Sequence, residues 1–459
     1  MLFTRFAVFL AVSSYCAAVD PLVEIRSGIL LGTSVEFSHN DVDVKRTVNV
    51  FKGIPYAEPP VGELRFRPPQ SKVSWEGEYN ATYYRSICIQ PPNPFLPIEG
   101  KQEEDCLFLN VYAPQTTTQS RKLPVMVWIH GGALVVGSGS GDFYDGTVLA
   151  AVGDVVVVIF NYRLGALGFF LTGDEHAIGN YGLYDQIAAL QWVQTNIEAF
   201  GGDSSKVTVF GESAGSISAE FLLLSPLTDG LFQRAILQSG TATMAGFTGS
   251  DSAFHNTIAH GLGKIVGCEK DTSEELVACL RSVEADDFRN SSDMSLGLIA
   301  NVTGLGEELT GLPFPPFVDD KLIKQHPVDT IREKAFTKTN VDIMIGAMAA
   351  EGAVFLPMAM SHMLNESEIS LNRSEYEAMY PMFLTGPVKQ NIVGISATKL
   401  IYMNWEDADL QDSDYIDSLV QMIGDENFIC PMDLSARAYV QSGAKVYLYH
   451  VTHTPANSI

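Results

Sequence analysis

Residues 206–210 alternate like a strand, break at Gly211-Glu-Ser-Ala-Gly215, and continue as a helical pattern over 214–224. A strand that passes straight into a helix through a serine flanked by glycines leaves the chain few choices. The turn is sharp enough to crowd any side chain at its ends, and the two glycines relieve that crowding. Such a turn leaves the Ser213 hydroxyl exposed at the carboxyl end of the strand, inside a sheet of parallel strands. A serine before a helix can also be a plain cap, but a cap requires neither glycine.

The remaining chain supplies partners for that unit. Residues 23–37 and 44–51 carry β-branched alternation and predict an antiparallel entry to a sheet, followed by a proline-rich loop to about residue 97. Strands are then expected at 123–130, 155–162, 232–238, 341–346 and 445–451, with a helix over 181–200 and a helical and loop region from 252 to 326. Strands alternating with helices mark a parallel sheet covered on both faces. No linker, repeat or low-complexity tract divides the chain, so residues 19–459 read as a single α/β domain, with 252–440 forming a helical region over the sheet. At 46% hydrophobic and 18% charged residues, the chain has material for a large core and too little charge for disorder.

Residues 1–18 run from Arg5 through an apolar stretch to Cys16-Ala17-Ala18, the order of a secretory signal peptide, with cleavage expected after Ala18. No later apolar run reaches the roughly 18 residues that span a bilayer. Setting Cys16 aside leaves Cys88, Cys106, Cys268, Cys279 and Cys430. Spacing leaves their connectivity open; the expected pairs are Cys88 with Cys106 and Cys268 with Cys279, each closing a short polar loop. Asn80, Asn290, Asn301, Asn365 and Asn372 each begin an Asn-x-Ser/Thr triplet, a glycosylation site in an exported chain and a chance match otherwise. The net charge of −25 repels polyanions, which excludes nucleic acid and anionic membranes as expected partners and argues first for solubility.

A nucleophilic serine needs donors for the oxyanion formed when a carbonyl is attacked. The segment Trp128-Ile-His-Gly-Gly-Ala-Leu134 places a glycine-rich loop after a strand, and the backbone amides of Gly132, Ala133 and Ala214 are the candidates. His130 reads as structural. No metal or dinucleotide motif stands out, since Asp174-Glu-His176 reads as a solvated turn and Gly137-Ser-Gly-Ser-Gly141 lacks the phosphate-loop pattern, so no cofactor is expected.

Several segments together resemble the type-B carboxylesterase family, the cholinesterase-like branch of the α/β-hydrolases. They are Phe51-Lys-Gly-Ile-Pro-Tyr-Ala57, Glu104-Asp-Cys-Leu-Phe-Leu-Asn110, Asn161-Tyr-Arg-Leu-Gly165, Phe200-Gly-Gly-Asp203, Gly211 to Gly215, and Ala235-Ile-Leu-Gln-Ser-Gly240. The resemblance extends from about Val23 to the last residue. It implies an α/β-hydrolase fold and hydrolysis of a small-molecule ester by a Ser, Glu, His triad, with Glu351 of Gly346-Ala-Met-Ala-Ala-Glu-Gly352 as the acid. Glu212 and Ser239 match positions that support the triad.

Beyond Glu351 the sequence offers His362, His450 and His453, and none matches the family's histidine motif. Residues 447–453 resemble the strand before the catalytic-histidine loop, so the resemblance expects that histidine past Ile459, in a chain that continues. It expects the partner of Cys430 there too. Ala133 stands where the family usually has a third glycine, which keeps the N–H but restricts φ. The loop from Cys88 to Cys106 has no tryptophan, unlike the cholinesterases it resembles, which argues against a choline ester. Phe314 and Phe317 are candidates for an acyl pocket or for plain packing. The competing expectation is a non-catalytic binding or adhesion protein on the same fold, as neuroligin-like members are.

Overall fold

The computed structural model describes residues 20–39, 44–93, 98–115, 121–289, 312–336, 338, 340–356, 370–384, 391–403, 405 and 413–453. The strands are β1 Leu22–Ile25, β2 Gly28–Leu31, β3 Thr33–His39, β4 Val44–Pro55, β5 Glu78–Asn80, β6 Phe108–Pro114, β7 Leu123–Ile129, β8 Val156–Phe160, β9 Gly202–Glu212, β10 Arg234–Gln238, β11 Asp342–Met348 and β12 Val446–Val451. Nine of them form one sheet in the order β12-β11-β10-β9-β7-β8-β6-β4-β3. From β12 to β8 every neighbouring pair is parallel, and from β8 to β3 every pair is antiparallel. The fold is therefore an α/β-hydrolase sheet with an antiparallel edge.

The expected single strand over 23–37 is instead three strands. β1 and β2 fold back on each other around Ser27 and join β5 in a small separate sheet, while β3 enters the main sheet beside β4. A break falls at Gly32, where a Cβ would lie 2.6 Å from the Phe51 ring, so the chain crosses closer than any side chain allows. Periodicity alone could not locate that crossing.

The helices are α1 Thr147–Gly153, α2 Gly165–Phe169, α3 Tyr181–Asn196, α4 Ala214–Leu224, α5 Ser252–Ile265, α6 Ser273–Ser282, α7 Pro327–Glu333, α8 Arg373–Met379, α9 Ile392–Tyr402, α10 Ile416–Gly424 and α11 Cys430–Gln441. Central strands read as unbroken apolar runs because both faces are covered: all of β6 and β8 is buried. α4 is buried on nearly every side, from Ala214 to Leu223. α3 carries Asp185 inward to a bidentate ion pair with Arg163, at 2.7 Å for each bond, which pins the loop after β8.

One large core runs through the sheet and its helices. A second, smaller cluster gathers Leu371, Tyr376, Tyr380, Tyr415, Leu419 and Met422 from the α8 to α10 region. α9, at its side, buries no residue completely. The disulfides Cys88–Cys106 and Cys268–Cys279 are formed, and Cys430 is a free, exposed cysteine. Of the five asparagine triplets, Asn80 and Asn372 are exposed, whereas Asn290, Asn301 and Asn365 lie outside the described residues, as does the leader.

Candidate active site

The turn from β9 to α4 sets Ser213 at φ 53° and ψ −124°, a conformation that non-glycine residues avoid at a cost of order 1–3 kcal/mol. Its side chain caps nothing, which removes the plain helix-cap reading. Both flanking glycines are sterically required. A Cβ on Gly211 would lie 2.5 Å from the Gly215 carbonyl carbon, and one on Gly215 would lie 2.0 Å from the Ile129 carbonyl oxygen. The end of β7 and the start of α4 thus meet backbone to backbone, with the serine lifted above them. The Ser213 N–H donates to the Gln238 carbonyl at 2.9 Å, and the side chain is half-buried.

The loop after β7 passes directly beside the serine: a Cβ on Gly131 would fall 3.2 Å from that of Ser213. Gly132 has φ 103°, and a side chain there would strike the Val136 carbonyl oxygen at 2.1 Å. Ala133 follows at φ 55°, in the left-handed region. The restriction on φ that alanine brings here is overcome, since the loop holds Ala133 in the left-handed conformation at a local energetic cost. Among the described residues, no protein acceptor takes the N–H of Gly132 or Ala133, and Ala214 at the first position of α4 has no preceding helical carbonyl to bond. Three amides without a protein acceptor therefore lie in the loop after β7 and at the start of α4, the two segments that adjoin Ser213. A hollow of about 160 Å³ opens beside this loop, lined in part by Gly137, Ser138, Phe143 and Tyr144.

His130 is buried and stacked on Tyr162, with ring centroids 4.3 Å apart, and burial pushes its pKa down to about 4. It stays neutral and structural, as expected.

Glu351 opens a 3-10 turn, Glu351–Phe355, after β11, and its carboxylate accepts the Met348 N–H at 2.7 Å. The next residue, Gly352, lies so close to α10 that a Cβ would meet the Val420 carbonyl oxygen at 2.0 Å. Glu212, the last residue of β9, is exposed. Crowding by protein, and secondarily the charge of Glu351, push its pKa up to about 7. The two carboxyl groups thus share one electrostatic environment. Ser239, buried after β10 at φ 55°, donates its N–H to the Gly346 carbonyl at 2.9 Å.

Glu351 also lines a cavity of about 510 Å³ with Gly346, Tyr449 and His450. His450 is exposed on β12, opposite Ala347, and His453 is exposed beyond it. Among the described residues no histidine hydrogen-bonds Ser213 or Glu351. His362 lies outside them. Phe314 and Phe317 are core residues rather than an exposed pocket wall: Phe314 packs toward Phe170 and Phe317 meets His255 edge-on.

Two residues that sequence reasoning missed are Tyr144 and Tyr449. Burial chiefly raises both hydroxyl pKa values; the Glu212 charge acts on Tyr144, and those of Glu351 and Glu212 act on Tyr449. The Tyr449 ring lies over Gly346, where a Cβ would sit 2.2 Å from it. The β11–β12 register sets Tyr449 opposite Gly346, a long-range pairing that no local signal could reveal.

Parallel sheet, serine elbow and adjacent free amides define an α/β-hydrolase. The match to the carboxylesterase family model covers residues 19–459, and the chain belongs to that family of carboxylic ester hydrolases. It is 37% identical to carboxylesterase 1E of Mus musculus, covering 95% of this chain and 77% of that protein. It is 36% identical to the liver carboxylesterase of Sus scrofa, over 96% and 77% of the two chains. With carboxylesterase 5A of Felis catus it shares 35% identity over 98% and 77%.

Proposed function

We propose that this chain hydrolyses small-molecule carboxylic esters through an acyl-enzyme on Ser213, within one catalytic domain spanning residues 19–459. The strained elbow beside three unpaired amides is the observation that carries this reading. In the reaction, an imidazole base takes the Ser213 proton as the oxygen adds to the ester carbonyl. The N–H groups of Gly132, Ala133 and Ala214 receive the negative oxygen. Collapse expels the alcohol with the proton returned by the imidazole, and water repeats the sequence to release the acid.

Glu351 orients that imidazole, with Glu212 and Ser239 supporting the corner. The base itself is a histidine, in keeping with the family resemblance. Export through the 1–18 leader is part of the proposal, supported by the two disulfides and the exposed Asn80 and Asn372 as glycan acceptors. Among the described residues no helix is long and apolar enough to cross a membrane, and no acidic, histidine or cysteine cluster could hold a metal.

The test is hydrolysis of a short-chain aryl ester by the full-length protein beside Ser213→Ala. Turnover should fall by about 10⁴-fold or more in the variant. Equal turnover would end the nucleophile assignment and favour a binding protein on this fold.

A further inference from the structure

Glu220 is wholly buried, and the proposed reaction makes no use of it. It lies on α4, where Ser216 and Glu220, four residues apart, share one face of the helix that Ser213 precedes. Along that face runs a strap, residues 238–242, leaving the end of β10. Its alternate residues grip the helix in turn. The Gln238 carbonyl accepts the Ser213 N–H at 2.9 Å, the Gly240 carbonyl accepts the Ser216 hydroxyl at 2.5 Å, and the Ala242 N–H donates to the Glu220 carboxyl at 2.5 Å.

Gly240 also touches the elbow directly, since a Cβ there would lie 2.9 Å from the Ser213 carbonyl oxygen. Between these rungs the Ser239 N–H ties the other side of the strap to Gly346 of β11. Just beyond it, the Thr243 hydroxyl donates to the Pro431 carbonyl of α11 at 3.0 Å, and Ser435 and Tyr439 of α11 flank the Glu220 carboxyl.

A buried carboxyl costs more than a hydrocarbon of the same size unless its acceptors are used. Here an acceptor is used on the last rung of the ladder that begins at Ser213. A residue in a disfavoured backbone conformation persists only when its surroundings over-determine it.

We infer that Glu220 is a positioning residue for Ser213: by holding Ala242 it fixes the strap whose Gln238 and Gly240 clamp the strained elbow. The inference rests on Ser213 being the nucleophile. A misplacement of about 1 Å at a reacting group costs up to about 100-fold in rate. Glu220 touches no substrate, so the loss falls on kcat.

The experiment compares Glu220→Leu, Glu220→Gln and Ser213→Ala with the full-length parent on a neutral aryl ester, with amide hydrogen exchange measured on each. Glu220→Leu should lower kcat about 10- to 100-fold with KM within about 2-fold, and speed exchange at Ala242 and Ser213. Glu220→Gln keeps the side-chain carbonyl acceptor and should recover most of kcat and the slow exchange. Parental kcat and exchange in Glu220→Leu, with Ser213→Ala inactive, would overturn the inference alone. Activity retained in Ser213→Ala would overturn the nucleophile reading and this inference with it. Should Glu220→Leu fail to fold, or the parent show no turnover, exchange decides: a freely exchanging Ala242 amide in the parent overturns the inference, and a protected one that Glu220→Gln preserves upholds it.

Discussion

The Ser213 corner and the Glu351 corner, proposed as nucleophile and acid, are both built around a glycine that tolerates no side chain, yet they differ in what stands behind it. Gly215 presses on the carbonyl of Ile129, at the end of a central strand with β8 on one side and β9 on the other. Gly352 presses on the carbonyl of Val420 in α10, a helix of the smaller cluster. Ser213 is gripped by a neighbouring strap and a sheet, whereas Glu351 accepts a hydrogen bond from Met348 and relies on the packing of its turn. A strained nucleophile needs a rigid frame; a carboxylate that only orients a partner tolerates a softer one.

The largest expected effect separates these frames. Gly215→Ala should destabilise by on the order of 3 kcal/mol or prevent folding, because neither backbone can retreat. Gly352→Ala should cost roughly 1–2 kcal/mol, since α10 can shift as a unit. Urea unfolding of both variants checks this, and equal losses would erase the contrast.

A pH series sharpens the nucleophile side. Burial pushes the Glu220 pKa from 4.5 up to about 7. The folded protein then keeps this proton where the unfolded chain has lost it, so stability falls as pH rises from about 4.5 to 7 and levels off above. Tyr439, also buried, faces Glu220 from α11, and neutral donors from the strap and Ser435 complete its surroundings. Glu220→Gln should match the parent at pH 4.5 and exceed it by on the order of 2–3 kcal/mol above pH 7. Denaturation midpoints across that range measure the difference, and a gap independent of pH would contradict it.

The smallest effect is expected in the second cluster. Glu377 bonds Arg373 at 3.1 Å and Lys399 at 2.6 Å at the surface, linking α8 to α9. Glu377→Ala should cost about 0.5 kcal/mol, less at high salt. A loss above about 2 kcal/mol would mean that α9 depends on this link.

The nucleophile corner was legible because its constraints are local: both glycines, the strand before and the helix after lie within one short stretch, and steric crowding follows from sequence order. Glu351 carried no such signal and stood out only by family resemblance. Gly32 and the broken entry strand went unread, and Phe314 and Phe317 stayed open between pocket and packing, because alternation does not say which neighbour a strand meets or which wall an aromatic ring joins.

By itself, the sequence determined the alternating strand and helix order, the serine turn and the glycine loop, all features whose physics acts over a few neighbouring residues. Tertiary structure alone decided what meets across the sheet: the Gly346 and Tyr449 register, the shared field of Glu212 and Glu351, and the strap that joins Glu220 to Ser213. Those contacts join residues far apart in the chain, and only the packing of the sheet against its helices selects them among the pairings that composition and periodicity permit.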